Sequence, residues 1–254
     1  MNPAELSNIA AAERDHWWYR GMRLITGRIL ARHVSGQRYR RVLEAGCGTG
    51  YNSAWLRTQY GWNIFLIDLE RKALEYVRGL HFRNAVQANV AVLPFRTASF
   101  DFVFSLDVIV HLPRGEEKRC LAELLRVTVP GGMLLLRAAA LDALRSRHSQ
   151  FIHERQRFTK ARLTRVLNDA GFRILYCSYA NSLLLPVAIA KFRLWEPLMQ
   201  KSPASGIEQP AGWLNRLLYS VLALEAKWLG LGLPFFLGQS LILVAEKPTS
   251  DRSL

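Results

Sequence analysis

The stretch Val42-Leu43-Glu44-Ala45-Gly46-Cys47-Gly48-Thr49-Gly50 constrains this chain more than any other. A short apolar run ends at Glu44, three glycines alternate with other residues, and a helix-period pattern follows through Ala54-Trp55-Leu56. Glycine carries no Cβ, so such a turn lets a ligand approach the backbone closely. The dinucleotide fingerprint G-x-G-x-x-G would need a glycine at 51, where Tyr51 stands, and no Lys-Ser/Thr pair marks a phosphate loop. The spacing E-x-G-x-G-x-G suits a ligand without a pyrophosphate. Asp68, at the end of the next apolar run, is placed to accept hydrogen bonds from vicinal ribose hydroxyls.

Short apolar runs alternate with helix-period segments from residue 41 onward. Strands are expected at Arg41-Val42-Leu43 ending at Glu44, at 63–67 ending at Asp68, weakly at 85–87, at 100–106 and at 133–136. Helices are expected through 54–56, over 71–77 and near 116–127, with Val129-Pro130-Gly131-Gly132 as a turn into the 133–136 strand. Strands and helices in this alternation mean βαβ units and an α/β fold with a parallel sheet. Ligands then bind beyond the carboxyl ends of the strands. A helix over 159–170 and a strand over 172–179 follow. Residues 181–238 differ, reading as Leu183-Leu184-Leu185-Pro186, a helix near 187–199, a loop over 201–206 and a helix near 213–229. A last strand is expected at 241–245. The domain reading is an N-terminal helical lid (1–40), a cofactor-binding core (41–180), an apolar helical insert (181–238), and a last core strand with a tail (239–254).

Half the 254 residues are hydrophobic, enough for a real core, which excludes a disordered chain. Cys47, Cys120 and Cys177 lie far apart without a C-x-x-C pair, which points to a reducing, cytoplasmic compartment. The first twenty residues hold Glu5, Glu13 and Asp15 and show no apolar leader run. Of the net charge of +14, +11 falls in residues 1–41 and 137–173. Such a distribution suits either an anionic partner or two solvated helix faces. Trp228–Ala245 has no charge, but Gly230, Gly232, Pro234 and Gly238 break it, so a helix end, a buried turn and a strand are expected in place of a membrane span. Trp213, Leu217, Leu218, Val221, Leu222, Leu224 and Trp228, with Arg216 and Lys227, suit an in-plane contact with a membrane surface or packing on the core.

The stretches 42–50 (VLEAGCGTG), 66–68 (LID), 86–95 (VQANVAVLPF), 99–113 (SFDFVFSLDVIVHLP) and 124–136 (LLRVTVPGGMLLL) resemble the class I S-adenosylmethionine-dependent methyltransferases, of the methyltransferase type 11 kind. The resemblance covers about residues 40–180 and the last strand. It implies a Rossmann-like seven-stranded sheet with its terminal strand antiparallel and S-adenosylmethionine as cofactor. Gly46 and Gly48 would lie against the methionine part, with Glu44 near its amino end. Asp68 would hold the ribose, Leu69 would flank the adenine, Asn89 would take the place of the usual Asp near the adenine amino group, and Val90 would contribute its backbone. The run at 16–23 and the segment 147–159 are similar to those of bacterial small-molecule methyltransferases. The Trp17-Trp18-Tyr19 run reads as a lid, with Tyr19 and Arg20 or Arg23 near the cofactor carboxylate, or as a helix that its Trp residues staple to the core.

The acceptor side is read from fewer residues. His111 follows the fourth strand at the crevice mouth, where an imidazole serves as a general base, and a helix-start role is the alternative. Asp107 would orient it or cap the next helix. Ubiquinone-biosynthesis O-methyltransferases carry a carboxylate, a second carboxylate and a His at the positions of Asp107, Val110 and His111. The apolar Val110 removes an oxygen ligand, so no metal is expected. His148 and His153 are second candidates for the base; with Arg155 and Arg157 they would instead grip an anionic group on the acceptor, or form a solvated charge run. The resulting expectation is methyl transfer to a small, hydrophobic or lipid-linked acceptor, most simply at oxygen, by a cytoplasmic protein that touches the inner face of the membrane. A nucleic-acid methyltransferase is the first alternative. Ser105-Leu106-Asp107-Val108 replaces the [N/D]-P-P-[Y/F/W] signature of base methylation, so no specific nucleic acid is expected. A non-catalytic, cofactor-binding peripheral protein is the second, and monomer and homodimer both stay open.

Overall fold

The computed structural model describes residues 3–34, 39–199, 202, 204–207 and 210–249. Lys201 and Pro203 of the expected loop, part of the expected lid at 35–38 and the tail beyond 249 lie outside the described residues. Seven strands form one sheet in the order β3-β2-β1-β4-β5-β7-β6. They are β1 (Val42–Ala45), β2 (Ile64–Asp68), β3 (Ala85–Gln87), β4 (Phe100–Leu106), β5 (Thr128–Ala139), β6 (Arg173–Ala180) and β7 (Ser240–Glu246). β1 pairs in parallel with β2 and β4, β2 with β3, and β4 with β5. The β5-β7-β6 end is antiparallel. The expected α/β sheet is therefore present.

By internal contacts the chain divides into two compact units. One is Arg38–Ala138, Lys160–Cys177 and Leu243–Leu254; the other is Met1–Gln37, Ala139–Thr159 and Ser178–Ile242. In the first, the helices α3 (Tyr51–Tyr60), α4 (Arg71–Gly79), α5 (Glu116–Val127) and α7 (Lys160–Ala170) join the strands. Parallel strands covered on both faces read as unbroken apolar runs. β1 is buried at all four positions, and the alternate residues Phe100, Phe102 and Phe104 of β4 point to one face, all fully buried. Phe102 packs against Tyr39 and Trp62 with ring centroids 5.2 and 5.1 Å away, and Phe100 against Phe95 at 4.9 Å. Burial pushes the Tyr39 hydroxyl up to about 12, so it stays protonated in this cluster. The expected turn at 129–132 is instead part of β5, entered through a register irregularity between Phe100 and Phe102, with Gly131 at φ +75°. The strand carries the proline and glycines that looked like a break through this irregularity.

The second unit is mainly helical. Its helices are α1 (Pro3–Ala12), α2 (Trp17–His33), α6 (Arg147–Phe151), α8 (Leu185–Ile189), a π-helical turn (Ala190–Trp195), α9 (Glu196–Met199) and α10 (Gly212–Gly230). α2 and α10 pack together at Gly21, where a Cβ would lie 2.3 Å from Leu222 Cδ1. Glu225, fully buried on α10, accepts the N–H groups of Ser182 and Leu183 at 2.8 and 3.0 Å, closing the turn that opens α8. The connection after α10 was expected to be a buried turn and is not. Leu231, Leu233, Phe236 and Leu237 are exposed, because a run without charges cannot by itself tell whether anything covers it. No helix of the described residues is long and apolar enough to cross a membrane.

Candidate active site

The carboxyl ends of β3, β2, β1 and β4 lie side by side and carry Asn89, Asp68, the glycine turn and Asp107 in that order. Gly46 and Cys47 both donate their N–H to Ile67 O, at 2.9 and 2.8 Å, folding the turn over the end of β2. Gly46, Gly48 and Gly50 all have positive φ, at +88°, +54° and +76°. At Gly46 a Cβ would stand 2.3 Å from Val108 Cγ2, and at Gly50 2.8 Å from Val77 Cγ2. The alternating glycines are thus required by the turn's own conformation and by two neighbouring valines, apart from any ligand.

Asp68 ties this turn to the next strand. One carboxylate oxygen accepts Gly48 N–H at 2.8 Å and the other accepts Glu70 N–H at 2.9 Å. A carboxylate offers about four lone-pair sites, so each oxygen keeps capacity for a hydroxyl donor. Leu69 beside it is exposed and Val90 is buried. Asn89 is exposed, and its side-chain oxygen accepts Ala91 N–H at 2.9 Å. Glu44 is buried and accepts a hydrogen bond from the Ser53 hydroxyl at the start of α3. Burial, with the negative charges of Glu44 and Asp68, pushes the Cys47 thiol well up, which keeps it protonated and unreactive.

Asp107 has φ +60°, and its carboxylate is held by Arg137 on β5 through Nε at 2.9 Å and Nη2 at 2.6 Å. It does not cap the following one-turn helix Ile109–His111, whose preceding residue is Val108 and which has no side-chain cap. His111 ends that turn, half-buried, while Val110 points into the core. Among the described residues, no group of three or more His, Cys, Asp and Glu side chains is arranged to hold a metal ion.

The remaining candidates lie in the helical unit. Tyr19 stands edge-on to Trp18 with ring centroids 5.0 Å apart, and the Arg23 guanidinium donates to Glu13 O at 2.6 Å. His148 Nδ1 lies 3.6 Å from the buried Glu5 carboxylate. Arg157 is held by Glu154 at 2.6 Å and by the Ser149 hydroxyl at 2.8 Å, while His153 and Arg155 are exposed. Much of the 137–173 charge excess is spent inside the chain. Arg137 pairs with Asp107, Arg162 with Glu117 and Arg173 with Glu246, all acids outside that segment. Sequence reasoning missed Ser53, Val108 and Arg137. Arg137 alone left a signal, a charge inside the run Met133–Ala138, since a buried arginine is seldom unpaired.

Residues 43–136 match the family model described as a methyltransferase domain. A malonyl-[acyl-carrier protein] O-methyltransferase of Erwinia billingiae is 32% identical over 134 residues, 52% of this chain and 52% of that protein. A protein of Mycolicibacterium smegmatis named "probable S-adenosylmethionine-dependent methyltransferase" is 31% identical over 170 residues, 65% of this chain and 63% of that one. The chain thus spans between half and two thirds of the length of these relatives. Among solved structures, the [4+2]-cyclase SpnF superposes with a TM-score of 0.60 at 21% identity, covering 92% of this chain and 83% of that one. At that identity the likeness speaks of fold alone. Residues 43–136 are thus a methyltransferase domain, and together with the seven-stranded sheet and the relatives this likeness supports the class I S-adenosylmethionine-dependent methyltransferase superfamily.

Proposed function

We propose that this protein transfers the methyl group of S-adenosylmethionine to an oxygen of a small, hydrophobic or lipid-linked acceptor, in the cytoplasm at the inner face of the membrane. The observation that carries the reading is the 2.8 Å bond from Gly48 N–H to Asp68, which pairs a glycine turn with a carboxylate one strand over. The donor set fits the cofactor. Asp68 keeps lone pairs for two ribose hydroxyls, Leu69 offers an exposed apolar surface to a base, and Gly46 and Gly48 present backbone without bulk. The cofactor supplies a methyl group already activated by a positively charged sulfur.

The chain's own residues therefore align the acceptor and exclude water, which converts an encounter into a near-attack geometry. Where the acceptor is a hydroxyl, His111 takes its proton. Arg137 keeps Asp107, and with it the turn that carries His111, in place. Acceptor oxygen is favoured by the name of the Erwinia relative, an O-methyltransferase.

The test is incubation of the purified chain with methyl-labelled cofactor and a bacterial lipid extract. Label in the organic phase, lowered on the order of 100-fold in His111→Gln, is the expected result. Label confined to the aqueous phase would count against a lipophilic acceptor, and an unaltered rate in His111→Gln against the base.

A further inference from the structure

α10 carries an exposed apolar stripe on the side away from its buried face. Leu222, Glu225, Ala226 and Leu229 form its buried face. At 100° per residue, Trp213, Leu217, Leu224 and Trp228 fall within an arc of about 60° on the other side. All four are exposed, Leu224 at 61%. The stripe runs on past the helix end into Leu231, Leu233, Phe236 and Leu237, with Phe236 at 82% exposure. Large exposed apolar patches on a protein surface mark interaction sites.

The charges around it identify the occupant. Arg216 and Lys227 share one edge of the stripe and are exposed. The exposed Arg28 and Arg32 of α2 lie under the tip. Arg28 would be 3.4 Å from a Cβ on Gly230, and the Arg32 guanidinium 2.6 Å from one on Gly232. From Gly212 to Ser240 the sole acid is Glu225, which is buried. Tryptophans along an apolar stripe, a charge-free tip and a one-signed basic border match a bilayer that carries anionic headgroups. Resting on the membrane location proposed above, we infer that the outer face of α10 and the 231–237 tip form a docking surface for an anionic lipid bilayer, with Leu231, Phe236 and Leu237 entering the acyl boundary. A protein partner or a second copy would need acids to meet the same border.

The test uses the whole chain without cofactor and flotation on phosphatidylcholine vesicles with and without phosphatidylglycerol. It is therefore independent of methyl transfer. Wild type should float with the anionic vesicles and be released by salt. The double variant Phe236→Glu/Leu237→Glu should bind roughly tenfold or more weakly. Arg216→Ala/Lys227→Ala should lose the preference for phosphatidylglycerol by roughly tenfold. Both pairs are exposed, and unchanged S-adenosylhomocysteine binding would show that each variant is folded. Wild type that stays off the vesicles, or an unaltered Phe236→Glu/Leu237→Glu, overturns the inference. So does a concentration-dependent dimer that leaves vesicles unbound, because it assigns the surface to a second copy.

Discussion

Replacing Asp68 separates what its carboxylate does for the turn from what it does for a ligand. In the free protein it accepts Gly48 N–H at 2.8 Å and Glu70 N–H at 2.9 Å. Hydrogen bonds to a charged acceptor contribute roughly 1.5–3 kcal/mol each when buried, and less where water can take over, as at this half-buried site. Asp68→Ala should therefore cost about 2 kcal/mol of stability by urea denaturation without cofactor. On the binding side it would remove the acceptor proposed above for two ribose hydroxyls. At about 3 kcal/mol together, the low end for charge-assisted bonds, the Kd for S-adenosylhomocysteine should rise roughly 100-fold by calorimetry. Asp68→Asn keeps one oxygen and should fall in between, about tenfold weaker. If Asp68→Ala is folded and binds within about threefold of wild type, the carboxylate serves the turn alone.

Three further perturbations test the surroundings. Gly46→Ala would put a Cβ 2.3 Å from Val108 Cγ2 at φ +88°, and should cost about 2–4 kcal/mol by chemical denaturation, partly regained in Gly46→Ala/Val108→Ala. Arg137→Met should cost about 2–3 kcal/mol. This is below the cost of stranding a fully buried charge, because the Asp107 side chain is 32% exposed, and Asp107→Asn in the same chain should recover part of it. Burial raises the Glu225 carboxyl above its usual range, while the N–H groups of Leu183, Ser182 and Asn181 pull it down. A carboxyl whose folded pKa exceeds its unfolded one gives most stability below the unfolded value and loses it as pH rises through the folded one. Glu225→Gln should thus flatten that loss in a pH series of urea midpoints, whereas Glu225→Ala, which orphans those N–H groups, should destabilise at every pH.

What the sequence disclosed follows the range of the forces involved. β4 and α5 lie at the expected 100–106 and 116–127, since period-2 and period-3.6 burial are local patterns. The glycine turn and the carboxylate of Asp68 were legible because a positive-φ turn and a strand end leave marks in adjacent residues. β5 was read too short, as Pro130-Gly131-Gly132 mark a turn and a bulge alike. The Arg137–Asp107 pair joins residues 30 apart, and Glu225 meets Ser182 from 43 residues away. No local periodicity encodes such meetings. Exposure at Phe236 and Leu237 was misjudged for a related reason, since hydrophobicity specifies a preference for cover and not its presence.

The most direct measurement is equilibrium dialysis of the purified chain against labelled S-adenosylmethionine. Saturable uptake of one molecule per chain, displaced by S-adenosylhomocysteine and weakened by Asp68→Ala, is the expected result. Absence of uptake by folded wild-type protein would contradict the account.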